Sequence, residues 1–217
     1  MRNRTPLLIL LLAGVPLAGN QITSYWVGGT GDWTNPGQWS PMGVPNNGAN
    51  TFLATINSGA ADVANILTQN IFLDGITIGP QATVHVNDQG LVLGSPTSAA
   101  TLLTNAGTVN LTNAASLTLD YSAGAPAMNS GTIAVGDESA IYLTAPSAGG
   151  GAFTNTGSIA LQANPHGSQI YLSGDGAAFT LNGGGNLTLS DNPANLITGS
   201  FGTETLASDN KDRKSVV

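Results

Sequence analysis

The sequence predicts an all-β chain: a right-handed parallel β-helix, or solenoid, with an N-terminal Trp-rich cap. Three observations point there. The phrase Asn-x-Gly-Thr/Ser-Val/Ile recurs as NAGTV from Asn105, NSGTI from Asn129 and NTGSI from Asn155. Each copy opens short segments in which apolar and polar residues alternate, the period of a strand with one buried face. All three tryptophans, Trp26, Trp33 and Trp39, precede the first such segment. A phrase that returns about every 25 residues signals stacked units. A sandwich or meander would show the alternation and the short strands, but it would not require the recurrence.

The elements follow in order. Residues 1–19 read as a cleaved secretory signal: Arg2 and Arg4, then the apolar run PLLILLLAGVPLAG ending in small residues. Cleavage falls among Ala18, Gly19 and Asn20. The competing reading is an uncleaved anchor, but Gly14 and Pro16 break the run and it is short for a membrane span.

Residues 20–50 form the expected cap. The stretch YWVGGTGDWTNPGQWS supplies turn residues and three indoles without charge. A solenoid exposes an open core and unpaired strand edges at its ends, and both need cover. The alternative use of these indoles is an aromatic platform for sugars.

Residues 51–211 are the expected coils. A first strand follows each phrase, with inward pairs Val109 and Leu111, Ile133 and Val135, Ile159 and Leu161, Leu187 and Leu189. LDGITI reads as an earlier, degenerate copy that places Gly75 at the phrase glycine, with Ile76 and Ile78 inward. NGGGNL reads as a later copy from Asn182. A second strand carries Val84 and Val86, Leu117 and Leu119, Ile141 and Leu143, Ile170 and Leu172. A third, as in TLLTN and AFTN, leads into the next phrase. One such coil buries roughly six aliphatic side chains at about 1.5–3 kcal/mol each, while ordering its backbone costs on the order of 1–2 kcal/mol per residue. A single coil cannot stand, and a stack can. Asn105, Asn129, Asn155 and Asn182 are expected to form a structural ladder at one turn, because Asn tolerates left-handed backbone and its amide bonds to amides above and below.

Residues 212–217, DRKSVV, are out of character. The 5 Lys and Arg residues of the chain are Arg2, Arg4, Lys211, Arg213 and Lys214, so none lies between residues 5 and 210. The six-residue peptide matches what a common sequencing-adapter read-through encodes. The expectation is therefore a non-native tail on a truncated reading frame.

Composition narrows the function. Charged residues make up 8% of the chain, and Asp plus Glu total 12, for a net charge of −7. Nucleic-acid binding needs cations to displace phosphate counterions, and the body of the chain has none. Acidic sugars find no cationic clamp. Cysteine is absent, which excludes disulfides and thiolate metal sites.

No catalytic constellation emerges. Asp137 and Glu138 are the only adjacent acids, and neighbours on a strand face opposite ways; a glycosidase needs two carboxyls across one cleft. His85 and His166 lie far apart with no partner at recognisable spacing. His85 is expected outward between Val84 and Val86. Asp175, in SGDGAA, lacks the glycine-rich calcium nonapeptide and reads as a turn. No catalytic residue, metal ligand or cofactor is expected.

The stretch WVGGTGDWTNPGQWSPMGVPNNGANTFLATI resembles the start of large exported bacterial β-helix proteins. Among these are passenger regions of autotransporter-type adhesins and exoproteins with a C-terminal PEP-CTERM sorting tail. Trp26, Gly31, Asp32, Trp33, Asn35, Pro36, Trp39, Ser40, Val44 and Pro45 carry the likeness. A second phrase of the same group is similar to LTLSDNPANLITGSFGTETLASDN, through Leu189, Ser190, Asp191, Asn192, Ile197, Gly199, Leu206, Asp209 and Asn210. The resemblance implies an N-terminal fragment of such a protein, extracellular or at the outer membrane or cell surface. It would be structural or adhesin-like, with no catalysis of its own. Its partners would be extracellular glycans or surface proteins. Membrane contact would come only through the signal or a missing C-terminal anchor. The alternative is a carbohydrate-binding or polysaccharide-degrading β-helix protein whose active part lies in the missing C-terminal region. The ligand-binding candidates within the chain are Trp26, Trp33, Trp39, Tyr142 and Tyr171.

Overall fold

The computed structural model describes residues 19–96, 98–163 and 165–214, the last three through their backbone. The expected signal, but for Gly19, and residues 215–217 of the tail lie outside the described residues. Among the described residues the only helical pieces are two 3-10 turns, Pro36–Gln38 and Tyr121–Ala123.

From Thr51 onward the chain winds through three sheets in rotation, A, B, C; the first turn supplies strands to A and B only. Sheet A stacks Gln21–Trp26, Thr51–Ile56, Gly75–Ile78, Leu103–Asn105, Ala127–Asn129, Gly150–Asn155, Ala178–Asn182 and Thr205–Ser208. Sheet B stacks Thr30–Asp32, Val63–Ile66, Thr83–Asn87, Thr108–Thr112, Thr132–Val135, Ser158–Leu161, Asn186–Leu189 and Lys211–Lys214. Sheet C stacks six strands, from Ile71–Leu73 to Leu196–Gly199. All these pairings are parallel. Among the described residues the one antiparallel pairing is Trp39–Ser40 against Gln21–Trp26. The architecture is a parallel β-helix.

Register places equivalent side chains one above another. In sheet B, Val84, Val109, Ile133, Ile159 and Leu187 form one inward column. In sheet C, Leu91, Leu117, Ile141 and Ile170 form another. All of these residues are buried. Each rung covers the one below at about 4.8 Å, so the aliphatic interior is continuous and dry.

Two boundaries differ from the sequence reading. First, the cap is part of the coil. Gln21–Trp26 pairs in parallel with Thr51–Ile56, and Thr30–Asp32 with Val63–Ile66, so the first rung starts at Gln21. Second, LDGITI is not a copy of the phrase. Ile76 aligns with Leu103 and Ile78 with Asn105 in sheet A, while Val84 and Val86 align with Val109 and Leu111 in sheet B. Gly75 is a glycine for a different reason: Thr101 O lies 2.1 Å from where its Cβ would stand. At the other end, Asp212 aligns with Leu187 and Lys214 with Leu189, in columns that are aliphatic in the rungs below.

One core contact crosses rungs. Tyr121, at the corner after Ser116–Asp120, lays its ring where a Cβ on Gly151 would stand, 2.3 Å from its Cγ. It meets Phe179 edge-on at 6.2 Å. Its hydroxyl is buried without a partner, and burial pushes its pKa well above the usual phenol value.

Candidate functional site

The three tryptophans form a lid. Their relative exposures are 4% for Trp26, 0% for Trp33 and 2% for Trp39. Trp39 stands edge-on between the other two, its ring centroid 5.1 Å from that of Trp26 and 4.6 Å from that of Trp33. Each indole N–H donates to a carbonyl: Trp26 to Gly29, Trp33 to Pro45 and Trp39 to Trp33, at 3.1, 2.9 and 2.9 Å. An indole buried with its N–H satisfied contributes its full apolar area. With these exposures no ring face is offered as a sugar platform. The local sequence explains the path. Asn35 caps the 3-10 turn by accepting from Gly37 N, and Pro36 fixes its first residue. That turn brings Trp39 back across Trp26.

Tyr142 and Tyr171 face outward on sheet C. They occupy one column, Thr118, Tyr142, Tyr171 and Thr198. Their rings lie 5.7 Å apart at 35°, and Tyr142 is 36% exposed. This is a small wet aromatic ladder on a flat face.

The amide ladder runs through the phrase asparagines, inside the wall. Asn105 Nδ2 donates to Asn129 Oδ1 at 2.7 Å, and Asn129 Nδ2 donates to Asn155 Oδ1 at 2.7 Å. Each of these asparagines is buried. Asn182 does not join them. It aligns with Thr154 and is exposed, because the triplet Gly183-Gly184-Gly185 displaces the phrase by one residue. Gly183 then leaves the ladder position empty of side chain, and Asn155 Nδ2 reaches Asn210 Oδ1 at 2.6 Å. Asn210 Nδ2 ends the run on Leu181 O. At the lower end, Asn105 Oδ1 accepts from Gly107 N.

The titratable residues do not converge. Glu138 sits in left-handed backbone at a turn and meets exposed His166 at 3.7 Å. His85 Nε2 contacts Thr112 Oγ1 at 3.0 Å on the outer face of sheet B. Asp175 accepts from the Thr203 hydroxyl, one rung above. Among the described residues no group of three or more His, Asp or Glu is placed to hold a metal ion.

Two carboxylates escaped the sequence reading. Asp62 is fully buried and accepts from Gly29 N and Ser58 N. Asp74 is nearly so and accepts from Gln21 Nε2 at 2.7 Å and Asn47 Nδ2 at 3.1 Å. Asn46 and Asn47 also accept from Phe72 N and Phe52 N. Together they pin the lid segment to the rungs above it. Asp74 lies in an Asp-Gly pair; Asp62 carries no local signal.

No protein-family model, curated protein or solved structure matches this chain.

Proposed function

We propose that the chain is an exported structural or adhesive β-helix, displayed outside the cell, whose work is done by its stacked length and its outer faces. One observation carries this reading: the in-register stack presents columns of short neutral polar side chains. Thr83, Thr108, Thr132 and Ser158 stand in consecutive rungs of sheet B, with His85 and Asn110 beside them. Such a surface stays hydrated without charge. It suits contact with neutral glycans or surface proteins, and it lacks the cations that nucleic acid demands. The signal-like residues 1–19 support export. The reading assigns the chain no reaction of its own.

Antiserum against residues 51–210 tests it in the producing cells. The expected result is antigen in the medium or on intact cells, where added protease removes it, with residues 1–19 cleaved off. Antigen confined to the cytosol with residues 1–19 retained would contradict export. Cleavage of a polysaccharide by the purified chain would contradict the absence of catalysis.

A further inference from the structure

Most corners leading from sheet C into sheet A are short, as at 145–149 and 174–177, but the one at residues 94–102 is long. Its residues 98–102 fold back over the rungs beneath. Thr101 O crosses Gly75 so closely that a Cβ would not fit. Ser98 Oγ comes within 3.4 Å of Gln21 Nε2 on the first rung. The loop thereby walls one side of the outer face of sheet A. Two depressions of about 480 and 340 Å3 result, and they meet at Ala100.

The lining is specific in its chemistry. Gln21, Thr51, Asp74 and Ser98 border the first depression. Thr23, Thr55, Thr77 and Thr101 border the second, with Leu53, Ile76 and Ala100 as apolar floor between them. Tyr25, 54% exposed, stands in the same column as Thr55 and Thr77. Asp74 is already engaged by the Gln21 and Asn47 amides, so it fixes the Gln21 side chain at the groove.

We infer that this groove binds a short neutral oligosaccharide. Hydroxyl and amide groups donate and accept at once, as a polyol requires. Tyr25, exposed one rung below Thr55 in the same outward column, offers an apolar face for the C–H side of a pyranose. Anionic sugars are disfavoured, because no Lys or Arg lies between residues 5 and 210 and Asp74 is a carboxylate. An apolar ligand would strip water from the threonine hydroxyls without replacing their hydrogen bonds. Three rungs span about 10 Å between the outer strands, which favours a chain of sugars over a single ring.

The inference rests on the adhesive reading for its biological sense, but its test uses purified chain and does not depend on display. Loss of one therefore leaves the other standing. Neutral oligosaccharides (cello-, xylo-, manno- and chito-series) are titrated calorimetrically, beside oligogalacturonate and a cationic peptide. At least one neutral series is expected to bind. Tyr25→Ala and Thr77→Lys, both outward, should each weaken it by about tenfold or more with unchanged far-UV circular dichroism. Tyr171→Ala, on another face, should leave binding intact and serves as the control. Absence of binding to every neutral series overturns the inference. So does preference for oligogalacturonate or the peptide, or loss through Tyr171→Ala in place of Tyr25→Ala and Thr77→Lys. If one groove variant misfolds, the other decides.

Discussion

One corner column of sheet A is filled in two different ways. In the lower rungs it is apolar: Ile56 aligns with Ile78, and Trp26 lies in register beneath them. From the next rung upward it is polar: Asn105, Asn129 and Asn155 replace the isoleucines at the same inward position. Both halves are equally buried. The difference is in what each requires of its neighbours. Isoleucine needs only a dry surrounding, which the tryptophan lid supplies. A buried amide needs partners on both sides, and here each Nδ2 donates upward while each Oδ1 accepts from below. A directional chain needs a terminus at each end, provided by the Gly107 N–H and the Leu181 carbonyl. The lower region is thus closed by shape and the upper one propagated by hydrogen bonds.

The largest break lies in the core that both regions share. Ile133→Asp places a carboxylate between Val109 and Ile159. Burying an unpaired charge costs several kcal/mol or forces its protonation. The variant should unfold at much lower urea concentration, or fail to accumulate. A soluble variant of unchanged stability would show that this column is not internal.

The two halves of the corner column separate in a matched pair of substitutions. Ile56→Asn and Ile78→Asn each lose aliphatic contact, about 1.5–3 kcal/mol. Ile56→Asn also buries an amide between Trp26 and Ile78, adding roughly 1–3 kcal/mol. Ile78→Asn lies directly under Asn105 and can extend the ladder. Ile56→Asn should therefore be the costlier by about 1 kcal/mol or more in urea denaturation. Equal costs would deny that the ladder shares its hydrogen bonds with a new member.

How far the sequence could be read follows the same division. The phrase asparagines were legible because their spacing is regular and their bonds join neighbouring rungs. The reading failed where glycine misleads. Asp74-Gly75 looked like the phrase, but its glycine answers to the loop above it. Asn182 looked like a ladder member, but three glycines shift it outward. The tryptophan lid was legible from position alone. The pins Asp62 and Asp74 were not, since the lid groups they hold, Gly29 N and the Gln21 amide, lie 33 and 53 residues away along the chain. The groove beside residues 98–101 was invisible for the same reason: a loop's composition does not say which rungs it covers.

Removing one ladder member should cost less than breaking the core. Asn129→Ala takes the donor from Asn155 Oδ1 and leaves Asn105 Nδ2 with the Thr132 carbonyl alone, about 1–3 kcal/mol for the group left unsatisfied. Asn182→Ala, outside the ladder, should change stability by roughly 0.5 kcal/mol or less. A larger loss for Asn182→Ala than for Asn129→Ala would reverse the assignment.

The smallest effect belongs to Tyr121, whose buried hydroxyl has no partner. Tyr121→Phe should be near neutral or slightly stabilising at pH 7. Burial raises the folded phenol pKa above that of the unfolded chain, which ionises near its ordinary value of about 10. The unfolded state therefore gains as pH rises beyond that value, and the native protein loses stability there. Tyr121→Phe should lose less over that alkaline window in thermal melts. Identical alkaline profiles would show that the phenol is solvated.

The central claim is that one end of the solenoid is closed by its own indoles. Because all three tryptophans lie in the lid, tryptophan emission, excited selectively over the four tyrosines, reports on that end alone. Acrylamide quenching of the folded protein is the direct test. Blue-shifted emission, weak quenching, and recovery of free-indole behaviour only on denaturation are expected. Emission near that of free indole, fully quenched while the strands remain folded by circular dichroism, would contradict closure by the indoles.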